Sequence, residues 1–382
     1  MRNPLSGLKI LDLSRVLAGP FAGQLLADLG ATVIKVESPK GDDTRGWGPP
    51  FIERSDGSRD AAYFHGCNRG KQSYVADLAD KEDLVRVKEL AANADVLLEN
   101  FKVGGLQKYG LDHATMCAKH SSLIYCSITG FGQEGPKASH AGYDLMIQGL
   151  SGIMSLTGEP DREPQKMGMA FADVFTGLYS VIAIQASLAS RAITGNGQYI
   201  DMALLDSMTG VLANQAMNYL ASGTVPTRMG NAHPNIVPYQ VFAVRDGHII
   251  IAVGNDEQFA RLCEVLNCKD LGTDPKFTTN QDRVEHRDQL IPELENELGQ
   301  WAREELLNAL EQATVPAGPI HDVGEALNDP QFIARGMRIE RDGIPGLATP
   351  ISIDGHAIAS ELPSPKLGSV SFDEALRLFK QT

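Results

Sequence analysis

The chain has 382 residues, 43% hydrophobic and 21% charged, with 34 Lys and Arg against 48 Asp and Glu for a formal charge of −14. This is the composition of an ordinary globular protein long enough for two domains, and its acid excess excludes a general nucleic-acid binder, which needs a basic face. No apolar run free of polar interruption is long enough for a membrane span, the start lacks a signal-peptide shape, and the five cysteines form no CxxC pair, so the expectation is a cytoplasmic protein with reduced thiols and no metal, membrane or nucleic acid.

Residues 7–13 (GLKILDL) read as a strand, 20–29 (PFAGQLLADL) as a helix and 31–37 (ATVIKVE) as a second strand. Such a βαβ unit implies a parallel sheet. The connecting loop, SRVLAGP, has no GxGxxG, so the dinucleotide fingerprint of a dehydrogenase is missing. Val16, Leu17 and Ala18 nevertheless fall beyond the carboxyl end of a strand, where open α/β sheets bind ligands. A plain connection with Pro20 in the first helical turn is the alternative. Residues 38–60 are rich in Gly, Pro and charge, and so long a loop is functional or disordered. Trp47 between two glycines favours function.

In NRGK, Arg69 and Lys71 are either solvated charges or phosphate contacts. A helix over 81–94 leads to a strand, 95–98, that runs into Glu99, Asn100 and Phe101. A further strand, 122–128, ends in the glycine-broken TGFGQEGP. Residues 140–150 (HAGYDLMIQGL) start a helix with Tyr143 and Asp144 in its first turn. There Asp144 is either a partner for the helix dipole or one of a pair with Asp173.

Asp173 opens an apolar helix of about five turns in MGMAFADVFTGLYS. Two readings stand side by side: an N-cap that satisfies a free backbone N–H, or a carboxylate nucleophile held where the helix dipole favours its ionised form. Residues 195–201 then suggest a turn and edge strand, and 204–221 a long apolar helix. Composition changes near Thr224, where VPTRMGNAHPNIVPYQ reads as a crossing linker. A hairpin over 240–253, turning at Asp246-Gly247, precedes helices near 256–266, 283–298 and 302–312, and a final helix spans 372–379. The expected organisation is α/β: a large Rossmann-like domain with a parallel sheet, residues 1–225 and 331–382, and a smaller α+β domain, 226–330, inserted through long linkers.

The motifs LKILDLSRVLAGPFAGQLLADLGATVIKVE, CNRGKQSYVADL, DVLLENF, ITGFGQEGP, GYDLMIQGLSG, ADVFTGLYS, GQYIDMALLDS and VPAGPI, in this order, closely resemble the class III CoA-transferases. The resemblance implies an enzyme of the EC 2.8.3 type that moves CoA from an acyl-CoA donor to a small carboxylic acid, with acyl-CoA as substrate and no tightly bound cofactor. It implies Asp173 as nucleophile, passing through an aspartyl-CoA thioester. It implies an interlocked homodimer. CoA would lie along Val16, Leu17, Ala18, Lys71, Asn100, Phe101, Lys102 and Lys108, with its acyl end approaching Tyr143, Asp144 and Asp173.

Through PYQ, GNDEQF and VPAGPI the chain is similar to transferases using succinyl-CoA and acceptors such as glutarate. The alternative within the same fold is an α-methylacyl-CoA racemase. Those enzymes carry a histidine base where this chain has Tyr143, and a neutral phenol is a poor base; His140 lies a helical turn away. Gly254 and Gly230 are candidate oxyanion donors or ordinary turn glycines.

Overall fold

A computed structural model describes residues 3–381. They form two compact units: the first contains the chain up to Ile153, Lys166–Ser222 and everything from Asp329 on, and the second Met154–Gln165 with Gly223–Asn328. The short excursion Met154–Gln165 has no counterpart in the composition change near Thr224.

The first unit is built on six strands: β1 (Lys9–Asp12), β2 (Thr32–Glu37), β3 (Lys71–Val75), β4 (Val96–Glu99), β5 (Ile124–Thr129) and β6 (Tyr199–Ala203). All five pairings are parallel, in the order β3-β2-β1-β4-β5-β6. This is the order of doubly wound nucleotide-binding sheets, with a switch point between β1 and β4. Alternate side chains go to opposite faces. Ile10, Val33, Val96, Leu98 and Ile124 meet α1 (Ala18–Asp28) and α4 (Phe171–Thr194) on one side. Leu11, Ile34, Leu97 and Tyr125 meet α2 (Lys81–Ala92) and the last helix, Phe372–Lys380, on the other.

Helix α4 buries one stripe, Ala172, Thr176, Gly177, Ser180, Val181, Ile184 and Ser187, each three or four residues from another on the same face. Gly177 sits where α4 crosses α1, and a Cβ there would come within 2.8 Å of the Ala18 carbonyl oxygen. The other face of α4 leaves Leu178, Tyr179 and Ile182 exposed. By length and composition α4 would suffice to cross a membrane, but its buried stripe is packed in the α/β core. The apolar run after it is two helices, Leu204–Gly210 and Ala213–Ser222, because Ala213 has a positive φ of 45° that interrupts the helix.

The second unit pairs Tyr239–Val244 with Gly247–Ala252 in a hairpin and adds Ala317–Pro319 at its edge. Helices Asp256–Val265, Arg287–Leu298 and Arg303–Gln312 cover it through Phe259, Leu262, Leu294, Leu306 and Leu310. Arg283, fully buried, reaches Asp256 at 2.8 Å and the Val237 carbonyl at 2.7 Å.

Candidate active site

Asp173 is not the N-cap of its helix. The cap position belongs to Ala170, which has no side chain to offer, and Asp173 lies in the first turn. The capping is done from elsewhere: Asp144, at the start of α3 (Asp144–Leu150), accepts the Ala172 N–H on Oδ1 at 2.8 Å. Asp173 is thereby released from capping, and the backbone N–H of Ala18 at the start of α1 faces its carboxylate and favours the charged form. Burial, then the nearby charge of Asp144, push its carboxyl up to about 7, partly offset by the Ala18 N–H. Two helix N-termini and a second carboxylate converge on the Asp173 carboxyl group.

A close approach of two glycines brings Tyr143 and Asp144 to this place. A Cβ on Gly130, in the loop after β5, would fall 2.4 Å from the Gly142 Cα, so neither loop tolerates a side chain there. Tyr143 is 68% exposed. Tyr63, whose phenol is raised to about 12 by burial and then by Asp173, closes another side and packs edge-on against Trp47 at 5.4 Å. The long segment expected to be irregular is thus ordered. Its Asp42 caps the turn Asp43–Gly46, receives Lys35 at 2.9 Å and takes the Val16 N–H at 3.3 Å.

Val16 has a φ of 70°, a left-handed conformation that a β-branched residue adopts at a cost of about 1–3 kcal/mol. Neighbours on both sides hold it: Asp42 on its N–H and the Cys67 thiol on its carbonyl. Across the switch point, the Asn100 amide donates to the Arg15 carbonyl at 2.7 Å and accepts the Arg15 N–H at 2.9 Å. Asn100 therefore locks the β1 loop to the β4 loop with its side chain.

Beneath these loops lies a cleft of about 300 Å³ whose walls include Arg15, Ser38, Ala76, Leu78, Phe101 and Tyr109. Lys102 and Lys108 are exposed, and Lys108 lies over the Tyr109 ring at 4.7 Å. Reading along the chain missed Arg15, Ala76, Leu78 and Tyr109. The strand-end rule applied to β3 would have found Ala76 and Leu78.

Lys71 departs from the expected phosphate contact. Its ammonium is fully buried and bonded to Asp12 at 2.9 Å and Asn68 at 2.9 Å. Burial raises the Asp12 carboxyl, yet Lys71 and Lys35, with the Ser14 hydroxyl, outweigh it and hold the group below the usual carboxylate range. Arg69 is likewise turned inward, onto Asp28 at 2.6 Å. Glu99, buried at the end of β4, accepts the Phe101 N–H at 2.7 Å and a bond from Ser127, and burial pushes it up to about 7. The two glycines considered as oxyanion donors have engaged N–H groups: Gly254 donates to Gln258 at 2.7 Å and Gly230 to the Gly158 carbonyl at 3.2 Å.

A family model described as CoA-transferase family III matches residues 5–370. The chain belongs to that family. The succinate–glutarate CoA-transferase of Agrobacterium fabrum is 54% identical over 372 residues, covering 96% of this chain and 93% of its own. The human succinyl-CoA:glutarate CoA-transferase is 40% identical, covering 96% and 84% respectively. Among solved structures, a CAIB/BAIF family protein from Brucella suis is 58% identical with a TM-score of 0.89, covering 99% of this chain and all of the other. The protein is a CoA-transferase, an enzyme that moves CoA from an acyl-CoA thioester to a carboxylic acid.

Proposed function

We propose that Asp173 is the nucleophile of this transferase. The observation that carries the reading is the relief of Asp173 from helix capping by Asp144, which leaves its carboxylate beside the Ala18 N–H at the end of the cleft-forming β1 loop. Making a thioester from an unactivated acid requires that the energy of the incoming thioester be kept, and a covalent carboxylate intermediate does this in easier steps.

An Asp173 oxygen attacks the thioester carbonyl carbon, and the tetrahedral adduct expels CoA thiolate to leave a mixed anhydride. The thiolate attacks the Asp173 carboxyl carbon and expels the donor acid as its carboxylate. The acceptor carboxylate attacks the resulting aspartyl-CoA thioester at the same carbon and expels the thiolate again. The thiolate then attacks the acceptor's acyl carbon and regenerates the Asp173 carboxylate. No net proton moves. The Ala18 N–H is placed to bear the charge that develops on the Asp173 oxygen when thiolate adds.

CoA is assigned to the strand-end cleft of the first unit, along Val16, Leu17, Ala18, Phe101 and the loop locked by Asn100, with exposed Lys102 and Lys108 available for its phosphates. Lys71 supports that floor from within. The acyl end is assigned to Tyr143 and Asp144 beside Asp173. The relatives' names support succinyl-CoA as donor and a dicarboxylate such as glutarate as acceptor. The large unit as CoA-binding domain, the smaller one inserted in it, and a cytoplasmic homodimer complete the reading.

An exposed apolar belt, Leu145, Met146 and Leu150 of α3 with Leu178 and Ile182 of α4, supports the dimer, since patches of this kind mark protein interfaces. A stable monomer in sedimentation at micromolar concentration would refute it.

The deciding experiment replaces Asp173 with Asn. CoA binding and fold should persist while transfer falls by several orders of magnitude, roughly 10³-fold or more, because an amide cannot supply the attacking oxygen. Hydroxylamine added during turnover should convert residue 173 to its hydroxamate, mapped by mass spectrometry. An active Asn variant with residue 173 unmodified in the parent would refute the assignment. A panel of acyl-CoA donors against acids identifies the pair exchanged.

A further inference from the structure

We infer that Gln148 is the positioning residue that sets Asp173 for attack, acting through Asp144 and through the backbone that leads into α4; the inference rests on Asp173 being the nucleophile. Gln148 is fully buried. Its Nε2 donates to Asp144 Oδ2 at 2.7 Å and to the Met169 carbonyl at 3.3 Å, and its Oε1 accepts the Met167 N–H at 2.9 Å. A planar primary amide supplies two donors and an acceptor from one rigid group, and all three roles are filled here.

Two routes lead from this amide to the nucleophile. Along the first, Met167 and Met169 belong to the segment by which the chain re-enters the first unit at Lys166, after Met154–Gln165. Pinning both residues fixes where α4 begins, at Phe171. Along the second, the Asp144 carboxylate held by Gln148 through Oδ2 uses Oδ1 to cap α4 at Ala172, the residue before Asp173.

The same Asp144 charge is the one that raises the Asp173 carboxyl after burial does. Gln148 thus governs both where the nucleophile sits and how close the raising charge is held. Ala170 has no side chain that could replace this cap. Spacing of Asp144 and Gln148 at i and i+4 on one helix face is a favoured Gln–Asp arrangement, and it is continued here into a tertiary contact.

The test compares Gln148→Met, which keeps volume and removes all three bonds, with Gln148→Glu. Read-outs are the rate of hydroxylamine capture at residue 173 during turnover with an acyl-CoA donor, kcat and KM against pH, and CoA affinity by titration. For Gln148→Met, capture and kcat should drop by roughly tenfold to a hundredfold, the scale of a misplaced reacting group. CoA affinity should stay within about twofold, because CoA is assigned to other loops. The midpoint of the pH profile should move as the Asp144 charge is released.

Relative to the parent at the same pH, Gln148→Glu should retain most activity towards acid pH, where a protonated carboxyl can donate to Asp144, and lose progressively more as pH rises. Gln148→Met with parental kcat, capture rate and midpoint overturns the inference. If that variant does not fold, a Gln148→Glu enzyme whose activity relative to the parent is independent of pH overturns it instead. Absence of label at residue 173 in the parent enzyme brings down the nucleophile reading and this inference together. Labelled parent with equal capture in Gln148→Met brings down the inference alone.

Discussion

The Ala18 N–H faces the Asp173 carboxylate and favours its charged form, so the start of α1 and the first turn of α4 meet at one carboxyl group. Both helix N-termini bring positive dipole ends to that carboxylate, while burial and Asp144 oppose its ionisation. The balance has a kinetic consequence.

With Asp173 as the proposed nucleophile, the attacking form is the ionised carboxylate, and burial with Asp144 pushes that carboxyl up to about 7. The kcat/KM of the transferase should therefore rise with pH, about tenfold per unit well below that value, and level off above it. Replacing Asp144 with Asn removes the raising charge while leaving an oxygen able to accept the Ala172 N–H. The midpoint should shift to lower pH. For stability the sign is opposite: an acid raised in the fold holds a proton that the unfolded chain releases, so its contribution is lost as pH climbs from the ordinary carboxylate range towards 7. A flat profile between pH 5 and 8, on a rate step shown to be chemistry, would contradict this.

Gly177→Ala tests the crossing of α1 and α4. Helix propensity alone favours Ala by about 1 kcal/mol, but the new Cβ would lie 2.8 Å from the Ala18 carbonyl oxygen, a backbone atom that cannot swing aside. Overpacking costs about 1–3 kcal/mol and should outweigh the propensity gain. The helices separate at Ala18, one turn along from Asp173, so activity should fall as well as stability. Thermal melting with initial rates decides; a more stable, fully active Ala variant would show that the crossing has slack.

Lys71→Met separates a buried counter-ion from a phosphate contact. Removing the ammonium leaves Asp12, itself fully buried, without its closest cation, and breaking a buried pair costs about 3–5 kcal/mol. Denaturant titration should register a loss of that size, and pairing the change with Asp12→Leu should restore much of it. Unchanged stability with a specific loss of CoA affinity would return Lys71 to the phosphate-binding role.

Racemisation would need a base at Tyr143, an exposed phenol at the start of α3. Incubation with a 2-methylacyl-CoA in heavy water should leave the α-hydrogen in place, as read by mass spectrometry. Fast deuterium uptake would reinstate that chemistry.

The parallel α/β sheet, the helix that opens near Asp173, the hairpin at Asp246-Gly247 and the family were legible along the chain, because each is carried by residues close together in it. Period-two runs, turn residues and short motifs are local signals. The roles of the polar groups depend on residues far apart in the chain. Lys71 meets Asp12 across 59 residues, Asp144 caps Ala172 across 28, and Gln148 holds Met167 across 19.

A buried charge or amide is tolerable only with its partner in reach, and that partner arrives when β1, β2 and β3 align and when α3 packs against the start of α4. Asp173 shows the difference most directly. Its spacing alone favoured a cap over a nucleophile, and the cap reading fails because Asp144, 28 residues away, accepts the Ala172 N–H while Ala170 holds the cap position.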